Sequence, residues 1–174
     1  MRAVAAALLL ALLGACASPP QPPSQGWSGK LGYRVDASAT QRAQAGSALF
    51  ELLGDARNGT LLLQTPLGAA LAQARWSAQG LWLGDGQQEQ RHASLDELGA
   101  ALGERLQTAP LPLAALFDWL QGRPWPDAPH EQQGEALLQL GWRVLRDGQR
   151  LKLTRAAEGT AGAITLTLII SPSP

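Results

Sequence analysis

One cysteine, two histidines and no net charge leave this 174-residue chain with few of the side chains that usually carry chemistry. A single cysteine permits no intramolecular disulfide, so the fold must rest on core packing. Neither His92 nor His130 has a partner at metal-ligand spacing, and no metal or cofactor is expected. The 14 Lys+Arg balance 14 Asp+Glu; setting aside Arg2, which precedes Cys16, leaves 13 against 14. Gripping phosphates needs a basic excess, so nucleic acid is not an expected partner. Gly84-Asp85-Gly86 reads as a hairpin turn, because no helix follows it directly to cradle a phosphate. Asp96-Glu97 reads as first-turn capping, and Asp118 and Glu51 as surface carboxylates. With no nucleophile–base signature, no catalytic residue is expected and the chain does not read as an enzyme.

The N-terminus holds the longest apolar run, Ala3 to Leu13, behind Arg2. Eleven residues cannot span a bilayer, which takes about 20, but they suit a signal-peptide core. The run ends in Leu13-Gly14-Ala15-Cys16, which looks like the lipobox read by lipoprotein-processing enzymes. That pattern implies lipidation of Cys16 and cleavage before it, with palmitate-type acyl chains as the anchor. A chance cysteine in an ordinary signal peptide is the alternative. Pro19-Pro20-Gln21-Pro22-Pro23 continues as an uncharged, extended tether reaching about 30 Å. Three segments are therefore expected: 1–15 a leader, 16–26 a lipidated cysteine with its tether, and 27–171 the folded body. Ala17, where an inner-membrane lipoprotein of this kind would carry aspartate, points to the outer membrane, with the body facing the periplasm.

From Trp27 the chain alternates with period two, Leu31, Tyr33 and Val35 opposing Lys30, Arg34 and Asp36. Strands with Ala48, Phe50 and Leu52, then Leu61 and Leu63, then Ala70, Ala72, Ala74 and Trp76 inward follow the same rule, and Gly80 to His92 suggests a hairpin. At Ser94-Leu95-Asp96-Glu97 the period changes through a capping box. Leu95, Leu98, Leu102 and Leu106 make one helical stripe. Pro112 opens a second helix with Leu113, Leu116, Phe117 and Leu120 on one face. Arg123 to Gln133 reads as a polar loop. Leu138, Leu140, Trp142 and Val144 then alternate against Gln139 and Arg143, Asp147-Gly148 marks a hairpin, and Ile164, Leu166, Leu168 and Ile170 close the pattern. The expected architecture is one curled antiparallel sheet with two short helices over one face. Composition does not decide whether those helices cover a filled core or a hollow.

Several segments, in order, resemble the outer-membrane lipoprotein receptor LolB family: Gly29-Lys30-Leu31, Ser47-Ala48-Leu49-Phe50, Pro66-Leu67-Gly68, the helix opened by Ser94, Leu111-Pro112-Leu113, Trp119-Leu120-Gln121-Gly122-Arg123-Pro124 and Gly141-Trp142-Arg143-Val144. The likeness spans about Trp27 to Ile170. It implies a mainly β fold, an open antiparallel half-barrel capped by two to three helices around a hydrophobic cavity. It also implies a role as chaperone in protein transport: accepting acylated lipoproteins from the periplasmic carrier LolA and placing them in the inner leaflet of the outer membrane. The chain departs from the family at Phe117-Asp118, where a basic residue is common, and its ending at Ser171-Pro172-Ser173-Pro174 leaves the last strand's extent open.

The expected lipid-binding wall, chosen by strand parity and helix face, is Leu31, Tyr33, Phe50, Leu52, Leu61, Leu63, Trp76, Leu113, Leu116, Phe117, Leu120, Trp142, Ile164 and Leu166. Pro66, Leu67 and Gly68 form an expected membrane-insertion loop. A loop tip should be polar, so Leu67 either folds back as a small satellite contact or, as the family implies, protrudes. The expected partners are LolA, cargo acyl chains and the outer-membrane leaflet, with the protein a monomer. A passive lipoprotein scaffold or complex subunit with a filled core is the alternative.

Overall fold

The computed structural model describes residues 26–171; the expected leader, Cys16 and the tether up to Gln25 lie outside them. The residues form eleven strands and two helices. Strands β1 (Gly26–Val35), β2 (Gln44–Gly54), β3 (Gly59–Gln64), β4 (Ala70–Ser77), β5 (Gly80–Gly84) and β6 (Glu89–His92) form an antiparallel meander. Helices α1 (Leu95–Leu106) and α2 (Leu113–Leu120) follow. A second meander then runs through β7 (His130–Gln133), β8 (Ala136–Gln139), β9 (Trp142–Asp147), β10 (Arg150–Arg155) and β11 (Ile164–Ile170). The meanders join where β1 pairs with β11, Leu31 opposite Leu168 and Val35 opposite Ile164. The spatial order is thus β6-β5-β4-β3-β2-β1-β11-β10-β9-β8-β7. The sheet is open, since its edge strands β6 and β7 do not meet, and the helices carry the chain from one edge to the other.

Period-two alternation explains which face is covered. Leu31, Phe50, Leu52, Leu61, Leu63, Ala74, Leu151, Leu153, Leu166 and Leu168 point inward and are buried, while Lys30, Glu51, Arg150 and Lys152 stay exposed. Ala70, grouped by parity with the inward alanines, is exposed, because the register shifts between Leu63 and Gln64 where β3 meets β4.

The helices begin differently. At α1, Ser94 Oγ accepts from Glu97 N at 3.1 Å, which satisfies one orphan donor, and Glu97 Oε2 reaches back past the cap to accept from Ala93 N at 3.0 Å. Asp96 and Glu97 occupy its positive first turn. At its other end Arg105 donates to Gly84 O at 2.9 Å, fastening the helix to β5. Helix α2 starts after Pro112 with no side-chain cap, and its eight residues are too few to be stable alone. It is held by burial, about 1.5–3 kcal/mol for each large apolar side chain. Ala115 and Trp119 are buried along with Leu113, Leu116, Phe117 and Leu120, so more than one face is covered.

The second meander departs from the sequence reading. His130–Gln133, read as part of a polar loop, is an exposed edge strand paired with β8. Leu140-Gly141 is a two-residue turn with φ of 54° and 76°, joining β8 to β9 with Gln139 opposite Trp142. A two-residue turn puts residues three apart on one face, so odd and even exchange roles across it. Gln139, outward by simple alternation, is 2% exposed; Leu138 is half-buried and Leu140 exposed, where the same alternation expects both inward. The following turn sits one residue beyond the expected one, with Asp147 in β9 opposite Arg150.

Candidate functional site

Beneath the helices the inner face does not close completely. A void of about 40 Å³ remains, and every lining side chain is apolar. Leu31, Phe50, Leu52, Leu61, Leu63 and Leu166 of the sheet line it, with Leu116 and Leu120 of α2 above. Leu111, Leu153 and Leu168, which are not in the expected wall, also line it. For Leu153 and Leu168 the alternation carried the signal; Leu111 lies ahead of the helical stripe and had none.

The remaining side chains of the expected wall lie elsewhere. Phe117 meets Trp27 edge-on at 5.7 Å between ring centres and Trp76 at 6.0 Å, forming an aromatic cluster beside the void. Trp76 Nε1 donates to Asp55 O at 2.9 Å, which satisfies its polar atom. Tyr33 is half-buried, its ring lying where a side chain on Gly46 would have to go. Leu113 and Trp142 are packed into the core at 1% exposure each. Ile164 lines a different hollow, at the end of the sheet where β1 finishes.

A water centre needs roughly 10–15 Å³, so the void has room for about three waters. A 16-carbon chain does not fit this arrangement, and loading one requires the helices to shift. Apolar surfaces suit such a shift, because their contacts are non-directional and leave no donor or acceptor stranded.

One corner of the interior is built the opposite way. Gln139 Oε1 accepts from Trp119 Nε1 at 2.8 Å and from Trp125 N at 2.9 Å. Its Nε2 donates to Trp125 O at 2.7 Å and Ala128 O at 2.9 Å. All four hydrogen-bonding positions of the amide are used. Arg146 Nε also donates to Leu120 O at 3.2 Å, so the C-terminal end of α2 is pinned by side chains from β8 and β9.

Leu67 is 96% exposed at the tip of the β3–β4 hairpin. Gly68 N donates to Thr65 O at 2.9 Å, Thr65 N to Ala69 O at 2.8 Å, and Ala69 N to Thr65 Oγ1 at 3.1 Å. Gly68 takes the left-handed conformation this three-residue loop requires, at φ 87°. The turn therefore places no conformational demand on Leu67 that a polar residue could not meet. The satellite-contact alternative is excluded by the exposure.

The outer face of β4–β6 carries an exposed ion pair. Arg75 donates twice to Glu89, at 3.1 and 2.6 Å, and its guanidinium stacks 4.2 Å over the ring of Trp82. The hydrogen bond from Arg75 holds the Glu89 carboxyl below its ordinary pKa.

A search of curated proteins finds no match. A scan against protein families matches residues 26–170 to the family described as Outer membrane lipoprotein LolB. The match covers all but the last of the described residues, including the apolar void and the Leu67 hairpin. The chain belongs to the outer membrane lipoprotein LolB family.

Proposed function

We propose that this protein accepts acylated lipoproteins from the periplasmic carrier LolA and inserts them into the inner leaflet of the outer membrane. Family membership carries the coarser statement, a role in lipoprotein localisation at the outer membrane. In the proposal the body is held at that membrane by acyl chains on Cys16, with residues 1–15 removed, and works as a monomer without catalysis.

The observation that carries the reading is the all-apolar void under a short helix that has no capping bond at its start. Exposing an acyl chain of about 16 carbons to water costs on the order of 12 kcal/mol, at ~0.8 kcal/mol per methylene. A receptor must therefore shelter the chain, more tightly than the donor and less tightly than a bilayer, for transfer to run downhill without ATP. The scaffold alternative called for one broad apolar patch. It also called for a filled interior; Leu49 and Ile169 do flank Lys30 on the outer face, but the space under α2 is not filled.

The purified protein is expected to bind a fluorescent fatty-acyl probe in the micromolar range or tighter; no binding at saturating probe rejects the proposal. Leu67 is assigned to membrane delivery. Leu67→Glu should leave thermal stability and cargo acceptance unchanged. Membrane incorporation should slow by about tenfold or more, because a carboxylate resists the bilayer where leucine favours it by more than ~2 kcal/mol. Wild-type incorporation by this variant in a reconstituted transfer assay removes the role.

A further inference from the structure

The inner face has two ends with surface hollows at each, but only at one does a cluster of rings stand between the hollows and the void. Where β1 begins, the rings of Trp27, Phe117 and Trp76 interlock, and Trp76 is bonded to the Asp55 carbonyl. Where β1 finishes, a hollow of about 320 Å³ opens between the α1–α2 connector and the β10–β11 loop. This vestibule and the apolar void share one floor. On β11, Leu168 and Leu166 lie under the void and Ile164 under the vestibule; on β10, Leu153 is followed by Arg155. The roof changes in the same place, from Leu111 to Pro110. One inward step along a strand, roughly 7 Å, separates oil from polar rim.

We infer that the vestibule is the mouth through which an acyl chain reaches the void, and that its rim seats the ester or amide carbonyls at the head of that chain. The inference rests on the acyl-binding reading above and adds the route and the head-group site. Three observations favour this end. The roof of the vestibule is the connector, which touches α1 at Gly99 and Gly103, where a Cβ would run into the carbonyls of Leu111 and Ala109. Two backbone bonds hold it there, Thr108 N to Gly103 O at 2.8 Å and Leu111 N to Gly99 O at 3.1 Å. It leaves α1 through Gln107 at φ 55°, a conformation L side chains rarely adopt. Helix α2, which the connector feeds, is uncapped at its start and pinned at its end by Gln139 and Arg146. The connector is thus tied to α1 but not to the sheet by these bonds, and side chains pin only the far end of α2, so the lid lifts at its vestibule end with the connector and α1 moving together.

The rim matches the head of an acylated ligand. Arg155, in ion pair with Glu158 at 3.2 Å, stands with Gln41 at the hollow and both side chains carry donors, while the Thr108 hydroxyl beside them is turned to the backbone carbonyl of Ala109 at 3.2 Å. Ester and amide carbonyls are acceptors. Lipid-modified peptides and phospholipids both carry acyl esters, so the test uses both.

Stopped-flow binding of a fluorescent palmitate to the purified protein reads the route. Ala109→Trp and Ala161→Trp, which fill the vestibule, should slow association by at least about tenfold, while Ala78→Trp, beyond the ring cluster, should stay within about twofold of the parent. Circular dichroism verifies that each variant is folded, and the two vestibule substitutions back each other if one is not. Equal rates in all three overturn the mouth. Failure of the unsubstituted protein to bind any acyl probe overturns the acyl-binding reading itself. For the head-group site, Arg155→Gln should weaken a dipalmitoyl-cysteinyl peptide and a dipalmitoyl phospholipid alike, by about fivefold, and leave a carbonyl-free alkyl probe unchanged. Equal weakening of the alkyl probe makes Arg155 merely structural, and a loss confined to the phospholipid assigns the rim to phosphate; either result overturns the carbonyl seat.

Discussion

The void wall and the Gln139 corner lie in one interior and are held by opposite kinds of force. Around the void, leucines from β1, β2, β3, β10 and β11 face Leu116 and Leu120 through contacts that a hydrocarbon chain reproduces equally well. At the corner, four directional bonds converge on one buried amide, and moving any partner strands a polar group in the dark. The difference divides the molecule into a part that can yield and a part that cannot. Lid motion belongs to the first; the second is the frame against which it swings.

The sharpest way to break this division is at its rigid side. Gln139→Leu keeps the volume near the original but leaves the Trp119 indole, both backbone groups of Trp125 and the Ala128 carbonyl without partners. It should cost about 3 kcal/mol and lower Tm by on the order of 8 °C, read by differential scanning calorimetry. A change below about 1 kcal/mol would show the corner to be as compliant as the void.

On the yielding side, Leu166→Phe fills the hollow from β11. Stability should change by no more than about 1 kcal/mol, since cavity filling and overpacking oppose one another. Acyl-probe affinity should fall by about 15-fold, the equivalent of two displaced methylenes at ~0.8 kcal/mol each. Unaltered affinity places the ligand somewhere other than this hollow.

The smallest effect lies outside the interior and calibrates the other two. Arg75 lowers the pKa of Glu89, so the pair's stabilisation is present above the ordinary glutamate value of 4.5 and is lost as pH falls through the lowered value. Both groups are exposed, and the contribution is slight. Glu89→Gln should therefore shift the urea midpoint marginally at pH 7, and the difference from the parent should shrink and vanish as pH falls below 4.5 and through the lowered value. A difference that persisted in acid would trace to the Arg75–Trp82 stack instead of the ion pair.

Strand parity made most of the sheet legible in the sequence, because a period of two changes only where a turn or a bulge intervenes, and the shift beside Gln64 cost only Ala70. It failed at Leu140-Gly141, where leucine is an uncommon occupant of a left-handed turn position and gave no cue that the parity exchanged. The Gln139 corner was lost with it, since a glutamine between leucines reads as solvent-facing until the turn is known. The void could not be read from composition: whether Leu116 and Leu120 meet the sheet or stop short is decided by the height of α2 above it, which no local pattern records. Leu67 was the reverse case. Its turn chemistry was plain, and an apolar residue at the tip was the visible anomaly.

The pairing of β1 with β11 has a consequence for biogenesis. The first strand to be made waits for the last before the centre of the sheet can zip shut, so a partly exported chain presents an unpaired edge along β1 throughout its emergence. Trimming β11 would therefore split the keel instead of fraying a margin, and the centre of the sheet forms only after both meanders have been made.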